Sequence, residues 1–316
     1  MKVLILATNY PNLNGQIASF YIHTRAMFYA KSKIDVEVLN FSAMNDYIID
    51  GIKVITLNTY KKHKNESYDL VISHAPNLRN HYMFFKKYGK YFEKYIFFFH
   101  GHEVLKINKD YSEPYKYMKK KMTMLQDIYD FIKIKVWRKF FIKNNNKSYY
   151  IFVSQWMKDM FLKNMKINEN EIVSNSFITY NSIGEEFEKN SYDLNIEKRY
   201  DFITIRGNLG GSKYCVDIIN ELAQRNPQHK FLLVGKGRYF DIYEKAKNIE
   251  WLDKTCNHNE IIKLLNEAKC ALMPTRTDAQ GLMACEMATF GIPLITSDIP
   301  VCHEIFDEFK NVRIYW

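Results

Sequence analysis

Residues 269–298, KCALMPTRTDAQGLMACEMATFGIPLITSD, carry the pattern that most restricts the fold. Residues 271–274 close a short apolar run of the length of a buried parallel strand. Residues 275–280 are polar and rich in turn and cap formers. From Gly281 onward, Leu282, Cys285, Ala288 and Thr289 recur at helical spacing. Gly291 stands where a C′ glycine ends a helix, Pro293 is a second stop signal, and 292–296 is again strand-like. Strand, loop, helix and strand in this order predict a βαβ unit of an α/β sheet.

The same stretch carries chemistry suited to a phosphorylated sugar. Free amides of Gly281, Leu282 and Met283 at a helix N-terminus form an anion site, and the helix dipole favours a phosphate there. Gly281 lets the phosphate approach the backbone closely. Asp278 and Glu286 frame the helix start, and two carboxylates can accept hydrogen bonds from a ribose diol and a sugar ring. On spacing alone, an ordinary βαβ unit with a capping Asp278 and a solvated Glu286 explains the pattern equally well.

The run Pro274-Thr275, Asp278-x-x-Gly281-Leu282, Glu286-Met287-Ala288 and Gly291-Ile292-Pro293-Leu294-Ile295 resembles the Glu-x7-Glu signature of retaining GT-B glycosyltransferases, especially glycosyltransferase family 4 (glycosyl transferases group 1). The resemblance implies that Glu286 binds the nucleotide ribose and Asp278 contacts the donor sugar. Asp278 replaces the family's usual Glu, and Gln280 replaces a usual aromatic.

Earlier in the chain, residues 3–7 read as a strand, followed by a loop at 8–15 and a helix over 16–30, which suits a nucleotide-binding half. Gly15 falls where the family has a glycine pair facing the donor phosphates, although a plain turn explains one glycine as well. Residues 95–99 form a buried strand that delivers His100-Gly101-His102-Glu103 to its carboxyl end, the edge where ligands of open α/β sheets gather. By resemblance His100 lines the cleft near the reacting sugar, while His102 and Glu103 are left open.

Residues 106–147 stand apart, with twelve Lys/Arg against four acids, a balance of +8 in a chain of net charge +10. Tyr115, Tyr117, Met118, Met122, Met124, Phe131, Trp137, Phe140 and Phe141 are interleaved with the basic residues. That composition predicts a segment lying on an anionic bilayer, set against the alternative of a solvated helical face with core aromatics. Nucleic acid is not an expected partner, because no recognisable nucleic-acid module accompanies the charge.

The second half restarts the alternation. Residues 201–205 read as a strand, 206–213 as a glycine-rich loop and 214–225 as a helix. The resemblance places an Arg and a Lys here against the donor diphosphate. Lys213 matches, Arg206 is the nearest arginine at a longer spacing, and Asn208 occupies the better-spaced position. The chain ends at Trp316 after a strand-like segment, 312–315, so the crossover helices of the family are expected to be missing.

The expected architecture is α/β, with two Rossmann-like domains facing a central cleft: 1–181 for the acceptor and 182–316 for the nucleotide-sugar donor. The expected activity is metal-independent retaining transfer of a hexose from a nucleotide-sugar, a UDP-sugar, to a glycan or lipid-linked acceptor. That activity would serve cell-surface polysaccharide synthesis. No Asp-x-Asp pair occurs in the chain, so no metal ligand and no cofactor beyond the donor are expected. The rivals are a non-catalytic GT-B accessory subunit and a nucleotide-sugar epimerase. Five irregularly spaced cysteines read as reduced thiols. No apolar run reaches the ~20 residues of a membrane helix. Together these predict a cytoplasmic protein, peripheral on the inner face of the cell membrane.

Overall fold

A computed structural model of the chain describes residues 1–13, 19–62, 68–118 and 123–315. It divides into two compact units, Met1–Leu105 with Asp127–Ser182, and Lys106–Gln126 with Ile183–Trp316. Lys106–Gln126, which the sequence reading places within the domain 1–181, groups with the second unit.

The first unit holds β1 (Lys2–Ala7), β2 (Asp35–Asn40), β3 (Tyr47–Ile49), β4 (Ile52–Ile55), β5 (Leu70–His74), β6 (Lys94–Phe99), β7 (Ser148–Phe152) and β8 (Ser176–Ile178). Their order in the sheet is β3-β4-β2-β1-β5-β6-β7-β8, parallel throughout except for the edge pair of β3 with β4. Near-continuous apolar runs such as VLILA in β1 are buried because helices cover both faces of a parallel sheet. The sheet reverses its order of winding between β1 and β5, so the carboxyl ends of these strands and of β6 form the edge where ligands collect.

The Thr123–Lys143 helix corrects the reading of residues 106–147 as one bilayer-facing segment. Trp137 and Phe141 point into the first unit's core, where they stack on each other and meet Phe97. Phe140 packs against Phe85 and Tyr95. Lys133 is buried too. Its ammonium donates to Asp130 and to the carbonyls of His102 and Leu105, 2.7 Å each, so the charge is fully partnered. The opposite face is exposed and apolar at Met124, Leu125, Ile128, Tyr129, Phe131 and Ile132, then basic at Lys135, Arg138 and Lys139. Met122 lies outside the described residues.

The second unit holds β9 (Tyr200–Asn208), β10 (Phe231–Lys236), β11 (Ile249–Leu252), β12 (Ala268–Met273), β13 (Leu294–Ser297) and β14 (Val312–Tyr315), all parallel, in the order β11-β10-β9-β12-β13-β14. Here the winding reverses between β9 and β12, which sets the loops 206–213 and 274–281 side by side. The Leu282–Phe290 helix begins at Gly281 and ends at Gly291, whose φ of 91° is the left-handed conformation that glycine adopts without strain. Tyr115 and Tyr117 belong to this unit. Tyr115 packs on Tyr239 and donates to Asp217 at 2.8 Å, and Tyr117 donates to the Gly210 carbonyl at 2.6 Å.

Candidate functional site

In the second unit the β9–β12 edge gathers most of the residues singled out by sequence. Arg206 is buried in β9, and its guanidinium donates to the carbonyls of Met273 and Pro274 at 3.2 and 3.0 Å. Its Nε has no hydrogen-bond partner, and its charge lies 4.6 Å from the centre of the Tyr214 ring. Burial draws the Arg206 pKa down. Asn208 is used locally, its side-chain oxygen accepting from the Gly210 amide at 2.7 Å. Lys213 reaches across to Asp278, with Nζ 3.1 Å from the carboxylate, and also approaches the Tyr214 ring. The Asp278 carboxylate accepts from the Ala279 amide as well.

The loop carrying Asp278 is held by a residue that sequence reading passed over. Arg276 forms a two-pronged ion pair with Asp217 (3.0 and 2.7 Å) and donates to the Ser212 carbonyl at 2.6 Å. The Arg276 amide and the Thr275 hydroxyl both donate to the Lys213 carbonyl. Burial alone would raise the Asp217 carboxyl, but hydrogen bonds from Arg276 and Tyr115 bring it below its usual range. These contacts tie loop 274–281 to loop 206–213 and fix the distance from Lys213 to Asp278.

Gly281, Leu282 and Met283 stand at the start of the nine-residue helix, half-buried, and no side chain caps it. A small cavity beside Gly281 is lined by Arg206, Thr275, Asp278 and Cys302. Glu286 lies farther along the helix and is only 7% exposed. One of its oxygens accepts from the Gly184 amide at 3.2 Å and lies 3.9 Å from His258 Nε2. The opposite ring nitrogen of His258 is 2.9 Å from Glu186, so the imidazole stands between two carboxylates. Burial raises the Glu286 pKa, and His258 partly offsets that. A Cβ at Gly184 would come within 2.6 Å of the His258 ring, which explains a glycine at that position. Glu186 and His258 carry no local sequence signal, being 72 residues apart.

In the first unit His100 follows β6 and is half-buried. Its Nε2 is 3.2 Å from Nδ1 of His74, the last residue of β5, and the Tyr21 ring stacks at an angle against it, centroids 4.3 Å apart. Burial, with the nearby Arg25 and His102, lowers the His100 pKa to about 3, so the ring is neutral at physiological pH. Glu103 is buried and accepts from the amides of His100 and Gly101, building the turn that presents His100. His102 is largely exposed, 3.6 Å from Glu103. Gly15 lies outside the described residues. Among the described residues no group of three or more His, Cys, Asp or Glu is placed to hold a metal ion.

Residues 203–314 match the family model described as glycosyl transferases group 1. Over 81 residues the chain is 32% identical to the O-antigen biosynthesis glycosyltransferase WclY of Escherichia coli, an alignment covering 26% of this chain and 21% of that protein. The chain therefore spans about a fifth of that curated relative. Among solved structures, sucrose-phosphate synthase from Thermosynechococcus elongatus superposes with a TM-score of 0.70 at 12% identity, over 95% of this chain and 82% of that one. WaaG, a glycosyltransferase involved in lipopolysaccharide biosynthesis, gives 0.67 at 14% identity, over 99% and 85%. The chain has the GT-B fold, and the residues that match the glycosyl transferases group 1 model lie wholly in the second unit.

Proposed function

We propose that the protein is a glycosyltransferase that moves a sugar from a nucleotide-sugar to a glycan or lipid-linked acceptor in the synthesis of a surface polysaccharide. The observation that carries this reading is the β9–β12 edge. Within one unit, and within the matched span 203–314, it assembles a lysine, an open helix N-terminus and two carboxylates. Lys213 and the amides of Leu282 and Met283 suit a diphosphate, whose growing negative charge on departure they would stabilise. Glu286 suits the ribose and Asp278 a sugar hydroxyl. Asn208 is engaged with its own loop and Arg206 with backbone carbonyls, so Lys213 is the principal cation for the diphosphate, with Arg206 behind it. The donor is a UDP-hexose, configuration is retained and no metal is required. The acceptor belongs to the first unit, where His100 offers a neutral imidazole.

The names of WclY and WaaG place related chains in O-antigen and lipopolysaccharide synthesis, which supports a glycan acceptor borne on lipid. The exposed face of the Thr123–Lys143 helix supports membrane attachment, since its apolar residues are flanked by Lys135, Arg138 and Lys139. Each basic side chain near an anionic surface contributes roughly 1 kcal/mol.

The test is a panel of nucleotide-sugars scored by thermal shift and by slow donor hydrolysis. A ligand at 100-fold excess over its Kd stabilises by about 2.7 kcal/mol, a readily measured shift. One donor that both stabilises the protein and is hydrolysed supports the reading. Binding without turnover of any donor points to an accessory subunit.

A further inference from the structure

We infer that His74 is a positioning residue for His100: its Nδ1–H donates to His100 Nε2 and thereby fixes His100 as the Nδ1–H tautomer, an uncharged hydrogen-bond donor to a sugar oxygen. The inference deepens the glycosyl-transfer reading, which gives His100 its place near the reacting sugar.

The two rings stack with centroids 5.4 Å apart and planes 28° from parallel, and the Nδ1–Nε2 distance is 3.2 Å. Between two neutral imidazoles, one of these nitrogens must carry the proton. If His100 Nε2 carried it, His74 would hold its own proton on Nε2. That atom is sealed from solvent and has no hydrogen-bond partner, in a side chain that is 1% exposed. A buried N–H without an acceptor is among the rarest defects in folded proteins. The reverse arrangement leaves only a bare lone pair at His74 Nε2, a smaller defect than an unpaired N–H.

The ring of His74 is fixed independently of His100. It is stacked on Phe98 with centroids 4.5 Å apart and planes 13° from parallel, and it sits at the end of β5 in register with Phe98 of β6. A rigid donor therefore meets His100 from the sheet. Among the described residues the His100 ring makes no hydrogen bond besides the one to His74, so Nδ1 is the nitrogen left for a ligand. Both rings have their pKa lowered by burial, which keeps them neutral and preserves the proton count across physiological pH. His100 thus presents an N–H and no lone pair at Nδ1. It can hold a hydroxyl or a developing oxygen charge, but it cannot act there as a general base.

The test is the tautomer itself, read by long-range ¹H–¹⁵N correlation on ¹⁵N-histidine-labelled, ligand-free protein. The expected result is Nδ1–H on His100, constant from about pH 5 to pH 8, the range of ordinary histidine titration. An Nε2–H signal for His100, or its conversion to imidazolium in that range, overturns the proposal. His74→Leu should release the tautomer and lower donor hydrolysis through kcat by about tenfold, the lower end of what lost outer-shell partners cost. His74→Asn, which keeps an N–H donor on the side His74 Nδ1 occupies, should restore both readouts. Rescue of neither by His74→Asn, with the fold intact, also counts against it. If no donor is turned over by any of these proteins, the glycosyl-transfer reading fails while the wild-type tautomer still decides this one.

Discussion

Replacing Asp278 by Asn should have opposite effects on binding and turnover. The carboxylate has two roles in the proposed site. It accepts a hydrogen bond from the donor sugar during reaction, and without donor it holds Lys213 at 3.1 Å. At that separation and an effective dielectric near 20, the gross attraction is about 5 kcal/mol. The side chains are 28% and 13% exposed, so desolvation and ordering offset most of it. A net value of about 1 kcal/mol is appropriate for such a pair. In the proposed site a nucleoside diphosphate competes with Asp278 for Lys213. The carboxamide of the variant keeps the acceptor for the Ala279 amide but releases Lys213 and removes a negative charge from the diphosphate's surroundings. Calorimetry should therefore show UDP binding about fivefold tighter in Asp278→Asn, which is about 1 kcal/mol. Single-turnover donor consumption should meanwhile fall at least about tenfold, about 1.4 kcal/mol of barrier. Raising salt should narrow the affinity difference, since the pair is partly exposed and screened. Unchanged or weaker UDP binding in the variant would refute the competition between Asp278 and diphosphate for Lys213.

Three further outcomes are expected. Glu286→Gln should weaken UDP binding by about 1–3 kcal/mol through a poorer ribose contact. The same variant should be more stable than wild type at neutral pH. A carboxyl whose folded pKa is raised above its usual 4.5 contributes stability below that value and loses it as pH rises through the folded pKa, so the melting-temperature gap should close toward about pH 4. Arg276→Ala removes a partly exposed two-pronged pair and should lower the melting temperature by about 2–4 °C, roughly 1 kcal/mol, while also weakening UDP binding because the Lys213 loop is released. Phe131→Glu, at a position 65% exposed, should leave the melting temperature unchanged but abolish co-sedimentation with phosphatidylglycerol vesicles, and equal sedimentation would remove this face as the membrane contact.

Much of the local structure around the candidate site was legible because its cues are local. The helix from Leu282 is announced by Gly281, its apolar spacing and Gly291, and Lys213 and Asp278 sit in loops that directly follow apolar strands. That Lys213 and Asp278 would meet each other was not legible, since 65 residues separate them and only the β9–β12 adjacency brings them together. The same holds for Glu286, whose partner amide at Gly184 is 102 positions away. Residues 106–147 show a different failure. Composition treats the segment as one object, whereas periodicity divides it. Asp130, Ile134, Trp137 and Phe141 recur at helical spacing and face inward, while Met124, Ile128 and Phe131 fall on the outer face. Charge counting does not see phase, and the buried Lys133–Asp130 pair lies among residues that the count had treated as surface.

The charges of the donor-side edge are largely neutralised within the unit. Lys213 is matched by Asp278, Arg276 by Asp217, and Glu286 by a backbone amide with His258 close by. Arg206 is the exception, a buried cation whose contacts are carbonyl oxygens and an aromatic face, with one N–H unused. In the proposed site, a diphosphate arriving at the Leu282 amides would therefore enter by exchange. It would draw Lys213 from Asp278, and the freed carboxylate would then need a donor of its own. A sugar hydroxyl supplies one and a bare nucleotide does not. On that reading the pair would link occupation of the diphosphate position to occupation of the sugar position. It also gives the shorter Asp278 a physical rationale: a carboxylate drawn back against Lys213 needs less reach in the unliganded state than one extended toward a sugar. Recognition of the whole donor would then rest on the exchange of the Lys213–Asp278 pair.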